Sequence, residues 1–286
     1  RRPRRAAAGA AVAALVAPAV GPACARAEEV AAAWSAEVGG DLGAGGFATI
    51  AEALRAAPAG CGAVAIAVRP GTYAEQVILR PGPQVTLEAR PAGSATLKWE
   101  TERPYEAAVA AEPGARAVLR GFGIRHAGKS VANNYAVYSA GAELELEDCD
   151  ISSRSGAGVA AEGGRLALRR CKVHDCARQG AVLFGPLIGD EPLVAKASCC
   201  VFSANGQYMG DNDAIRGPFD GILARSNVEA ELASCLVEDS GSAGIAALED
   251  STVVLVGSTL RGNRRGASSA KGGGQLVVQQ DPAGIC

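Results

Sequence analysis

Carboxylates, amides and a cation crowd one short stretch of the sequence: Asn205-Gly-Gln-Tyr208-Met-Gly-Asp211-Asn212-Asp213-Ala-Ile-Arg216-Gly-Pro-Phe-Asp220. Asp211, Asp213 and Asp220 supply candidate acids and bases, and Arg216, or Arg178 upstream, a cation. Glycoside hydrolysis needs two carboxyl groups ~5–5.5 Å apart for retention, or ~6.5–9.5 Å apart for inversion. A polysaccharide lyase or epimerase needs instead a base near the sugar carbon and a cation or metal on the uronate. Tyr208, Asn205 and Asn212 add groups suited to binding a sugar. Asp211, Asn212 and Asp213 offer hard oxygen ligands for calcium, although their spacing is not that of an EF-hand loop. Asp and Asn beside Gly and Pro also make an ordinary solvated turn, and that plain reading carries the greater weight.

Two histidines stand elsewhere in the chain. His126 follows an apolar Ile124 and reads as a turn residue; His174, beside Asp175 and near Arg178, reads as polar filler or as an acid–base candidate. Tyr135 and Tyr138, beside Asn133 and Asn134, can line a sugar-stacking groove. The nine cysteines lack the paired C-x-x-C spacing of a zinc site, so no resident metal or other cofactor is expected from them.

These residues need a scaffold, and composition narrows the choice. The 286 residues are 48% hydrophobic and only 4% aromatic, with 37 glycines and a net charge of −2. Small aliphatics between many glycines suit short strands and turns. Near-neutral charge argues against a nucleic-acid partner. Residues 1–27 look like a targeting segment: Arg1, Arg2, Arg4 and Arg5, then a small-apolar run, then Ala25-Arg26-Ala27. A membrane span takes about 20 apolar residues, and Pro18, Gly21 and Pro22 cut this run short. The expected destination is secretion or an organelle lumen, with a thylakoid-type lumen among the options.

An internal repeat decides the fold. Leu146-Glu-Asp-Cys149-Asp-Ile151 and Leu168-Arg-Arg-Cys171-Lys-Val173 align with Lys196-Ala-Ser-Cys199-Cys-Val201 and Leu232-Ala-Ser-Cys235-Leu-Val237. Nine residues after three of these cysteines come Gly158-Val159, Gly180-Ala181 and Gly244-Ile245. The unit is L-x-x-C-x-(I/V)-x6-G-(V/A/I), with a shortest step of 22–23 residues. Within it apolar residues alternate, as in Leu144-x-Leu146, which marks strands with one face in a core. Units too short to bury a face alone must stack into a continuous solenoid, and parallel connections wind right-handed. The fold class is therefore an all-β, right-handed parallel β-helix, in which Cys149, Cys171, Cys199 and Cys235 form an inward ladder of small hydrophobes. A helix over about 47–57, with N-cap Thr49 and Glu52 at the capping-box position, caps its start. The expected layout is a targeting segment (1–27), a linker (28–45), the solenoid (46–280) and a tail (281–286).

The quoted residues also carry a resemblance. "GGFATIAEALRAAP", "VAIAVRPGTYAEQVIL" and "VTLEA" resemble the opening of pectinesterases and other pectin-lyase-fold proteins. "LELEDCDISSRSGAGVAAEGGRLALRRCKVHDCARQGAVLF" is similar to repeats of the carbohydrate-binding/sugar-hydrolase (CASH) type, found in F-box proteins and in plant and algal pectin-lyase-like proteins. The resemblance covers about residues 41–280 and implies the same solenoid. The chemical motifs of pectinesterases, polygalacturonases and pectate lyases are missing as sets. The resemblance therefore implies a non-catalytic or weakly specialised β-helix, carbohydrate-binding or scaffolding. Two alternatives stand beside it: a polysaccharide lyase, hydrolase or epimerase working through the 205–220 loop on an acidic glycan, and a protein-interaction module.

Overall fold

A computed structural model describes residues 33–40, 46–129, 134–186, 189–207 and 217–280. Among them are 26 strands and one helix, and the strands fall into three parallel sheets. One coil shows the plan. Glu143–Glu147 lies in the first sheet (A), Asp150–Ser153 in the second (B) and Ala157–Glu162 in the third (C). The next coil repeats it in register, with Leu144↔Leu166, Ile151↔Val173 and Val159↔Ala181. Each strand thus pairs only with its counterparts one coil before and one coil after. The inward residues of all three sheets form one continuous core, in which Leu119, Leu146, Ile151 and Phe202 are wholly buried. This is a parallel β-helix.

Six successive coils turn from sheet A to sheet B at a single left-handed residue. Gly121, Asp148, Arg170, Cys199, Ser234 and Gly257 occupy this place, with φ between 50° and 71°. The residue after it points inward: Phe122, Cys149, Cys171, Cys200, Cys235 and Ser258. The ladder cysteine of the third aligned repeat is therefore Cys200, one residue later than the alignment expected. Register decides it, because Leu168 pairs with Ala197 and Val173 with Phe202.

The corner from sheet B to sheet C explains the recurrent glycines. A Cβ on Gly158 would lie 2.4 Å from Val173 Cγ1, one on Gly180 2.6 Å from Asn205 Nδ2, and one on Gly244 2.6 Å from Asn263 Nδ2. Side chains from the corner fill the space that a Cβ would need. Asn205 donates to Val173 O (2.9 Å) and accepts from Cys176 N (3.1 Å). Asn263 does the same with Val237 O and Ser240 N, both at 3.0 Å. Each amide satisfies a donor and an acceptor that the turn leaves behind.

The N-terminal end differs from expectation in one respect. Ala33–Val38, expected as linker, is a strand that joins sheet A by pairing with Ala63–Val68. Its alternate residues Trp34 and Ala36 pack on the core and Val38 is buried in it. The helix runs Ile50–Ala56 and has the complete Thr49/Glu52 capping box. Glu75, from the Gly-Thr-Tyr-Ala-Glu segment, reaches the same end: Ile50 N and Ala51 N donate to its two carboxylate oxygens at 2.8 and 2.9 Å. Unpaired helix donors and the positive end of the dipole both favour an anion there. The last strand is Gln275–Gln279.

Candidate glycan-binding face

Outside the main core a second apolar cluster lies on the outer face of sheet C. Ala157, Ala160 and Val182 are buried there beneath Tyr135, Tyr138, Phe184 and Leu223. Strand register builds it. Tyr138, Ala160, Val182, Leu223 and Ala246 form one outward row, one residue per coil. Ala140, Glu162, Phe184, Arg225 and Leu248 form the next. A sheet face turned to solvent usually alternates with polar residues; here one row is almost wholly apolar.

Two tyrosines mark its N-terminal part. The rings of Tyr135 and Tyr138 stack with centroids 5.5 Å apart and an interplanar angle of 16°. Tyr138 donates to Glu162 Oε2 at 2.8 Å. Burial, and then the bond to Glu162, push the Tyr138 hydroxyl well above the usual phenol range. Burial likewise raises Tyr135, with the nearby Arg178 charge opposing it. Both hydroxyls are proton donors at any physiological pH. At the B–C corner the Arg178 guanidinium lies 5.2 Å from the centre of the Phe219 ring. The face thus joins flat apolar rings to hydroxyl, carboxylate and guanidinium groups. Tyrosine suits such a place because its body is apolar and its tip polar.

The expected site residues fare unequally. Tyr208, Asp211, Asn212, Asp213 and Arg216 lie outside the described residues, as does the calcium expectation that rested on three of them. Asp220 accepts from Ala243 N at 3.0 Å, tying one corner turn to the next. Asn205, expected to bind ligand, is fully buried with both ends of its amide bonded to backbone, so it is a structural residue. Arg178 does come together with the 205–220 segment, through Phe219.

His174 stands on the outer face of sheet B between two carboxylates. Its Nδ1 is 2.6 Å from Asp175 Oδ2 and its Nε2 is 3.0 Å from Asp150 Oδ1. Arg125 also bonds Asp150 Oδ1, and its second nitrogen donates to Asp150 O at 2.6 Å. Burial tends to raise the Asp150 carboxyl, but the bonds from His174 and Arg125 outweigh it and hold it below the usual range. Both ring nitrogens are occupied, so the cluster clasps three successive coils together. Arg125 and Asp150 escaped notice in the sequence because they lie 49 and 24 positions from His174. His126 is not a turn residue: it sits inward on the strand Phe122–Gly128, nearly fully buried, with Nδ1 2.9 Å from Ser153 Oγ. Among the described residues, no group of three or more His, Cys, Asp or Glu is arranged to hold a metal ion. No helix among them is long and apolar enough to cross a membrane.

Sequence comparison adds the decisive observation. Residues 114–281, more than half of the chain, match the model of the right-handed beta helix region. The chain belongs to this right-handed β-helix family. No curated protein matches its sequence. Among solved structures, this β-helix is similar to the deglycosylated pectin methylesterase of Aspergillus niger (TM-score 0.62, 15% identity, 88% of this chain and 86% of that one). It is also similar to a pectin methylesterase in complex with a hexasaccharide (TM-score 0.53, 12% identity, 78% of each chain). A third is a PL6 family alginate lyase, AlyGC (TM-score 0.51, 12% identity, 86% of this β-helix and 40% of that chain). At such identities the likeness is one of fold.

Proposed function

We propose that this β-helix is a carbohydrate-binding protein that holds a glycan along the outer face of sheet C. One observation carries the reading: an aromatic cluster packed outside the core, with Tyr135 and Tyr138 stacked beside Glu162 and Arg178. Apolar ring faces match the C–H faces of a sugar, while hydroxyl, carboxylate and guanidinium groups match its hydroxyls or acids. The resemblance in fold to pectin methylesterases and an alginate lyase, one of the former bound to a hexasaccharide, supports a glycan as the ligand.

Affinity electrophoresis and calorimetry against pectate, alginate and neutral glucans test it. At least one polymer should bind, and Tyr135→Ala with Tyr138→Ala should weaken binding tenfold or more, about 1.4 kcal/mol. Arg178→Ala should weaken an acidic polymer more than a neutral one. No binding to any polymer, or unchanged binding by the double variant, overturns the reading. The same incubations, watched for unsaturated or reducing ends, measure the catalytic alternative.

A further inference from the structure

The ladder thiols have a spacing and direction that the glycan reading does not use. Cys149, Cys171, Cys200 and Cys235 are free thiols, each 1–2% exposed. They occupy one position of four successive coils, fixed by the pairs Asp150↔Lys172, Lys172↔Val201 and Val201↔Leu236 directly after them. All four point the same way. Each Sγ lies against the carbonyl two residues earlier: Glu147 at 3.3 Å, Arg169 at 3.4 Å, Ser198 at 3.2 Å and Ala233 at 3.4 Å. Cys200 Sγ is also 3.4 Å from Cys171 N, so it reaches back along the column.

Equal side-chain directions on in-register strands place successive sulfurs about one strand spacing apart, ~4.8 Å. A disulfide needs Cβ atoms ~3.5–4.5 Å apart and strongly crossed, which parallel in-register cysteines do not offer. Two thiolates on one linearly coordinated ion span about 4.6 Å, taking the ~2.3 Å of a zinc–thiolate bond as a scale. Thiolate sulfur selects soft ions such as Cu(I). Two ligands suffice for a linear site, so no third side chain is required.

We propose that the Cys149–Cys171–Cys200–Cys235 column takes up soft monovalent d10 cations, of the Cu(I) and Ag(I) class, each held linearly between two successive sulfurs. Four thiols enclose three gaps. Three ions enter as three S–H bonds break and three protons leave, while the fourth thiol keeps its proton. No oxidation state changes. The filled column carries no net charge, which matters because an uncompensated charge in an apolar core is very costly. Entry is slow, since the buried thiols are reached only when a coil opens locally.

The test is a count. The full chain is titrated with Ag(I) under argon, followed by ultraviolet thiolate-to-metal absorption and by native mass spectrometry. Serine is the substitution of choice because Ser258 already continues the column, donating to Leu232 O at 2.8 Å and accepting from Cys235 N at 3.0 Å. Cys149→Ser or Cys235→Ser, at the ends, should remove one ion. Cys171→Ser or Cys200→Ser, in the middle, should remove two. Other cysteines cancel in these differences. Equal losses from all four variants would mean independent thiols and overturn the proposal, as would no loss at all. Should a serine variant fail to fold, judged by circular dichroism, the alanine variant of the same position gives the same count.

Discussion

His126 shows how much one buried side chain can matter. Burial pushes its imidazole down to about 4, whereas a free one titrates near ~6.5. Between those values the unfolded chain takes up a proton that the folded chain refuses. The stability associated with the neutral ring is whole above about pH 6.5 and is lost as pH falls towards 4, by about 3 kcal/mol in total. Urea denaturation at pH 7, 5.5 and 4.5 should show a falling midpoint, and His126→Gln should flatten that fall. Parallel curves for the two proteins would exclude His126 as the cause. Its burial was hidden in the sequence because its strand, Phe122–Gly128, is longer than the three- and four-residue strands that follow it in sheet B. The tyrosines were singled out in the sequence, but their stacking was not legible. Three residues apart on a regular strand they would face opposite sides. Only because Ala136 and Val137 both turn into the core do the two rings meet.

At the scale of elements, the corner between sheets B and C is the part most sensitive to substitution. Asn205→Ala leaves Cys176 N and Val173 O buried without their partner, a cost of about 2–3 kcal/mol. Gly180→Ala places a Cβ 2.6 Å from the same amide and should cost about 1–3 kcal/mol. The two substitutions share a space, so the double variant should be less destabilised than the sum, as chemical denaturation of all four proteins would reveal. The repeated glycines were visible in the sequence, but not their reason, which lies in a side chain one coil away. The cysteine ladder was legible to within one residue. At Cys199-Cys200 two like residues stand together, and the strand register and the left-handed turn at Cys199 tell them apart. The Ala33–Val38 strand was missed because one strand alone has no repeat to announce it.

Over the whole molecule, every strand depends on its neighbours along one axis, and the two ends are unlike. Helix Ile50–Ala56 and strand Ala33–Val38 pack on the first coils, whereas Val278, whose partner Leu255 is a core residue, is 74% exposed at the far end. In such one-dimensional folds protection falls towards an open end. Hydrogen exchange should therefore be fastest at Gln275–Gln279 and slowest near Glu143–Glu147; uniform protection would contradict this. The fold was readable from the chain because the repeat is local and self-similar. The sheet C face was not, because it joins residues that no single repeat contains. That face has a further property. Tyr138, Ala160, Val182, Leu223 and Ala246 recur once per coil, so the row spans about 19 Å in equal steps of ~4.8 Å. It is a ruler. Ala160, Val182 and Ala246 are buried, so the marks a ligand can touch are Tyr138 and Leu223, three steps or about 14 Å apart. Affinity for an oligosaccharide should climb until the sugar chain spans that distance and then stay level.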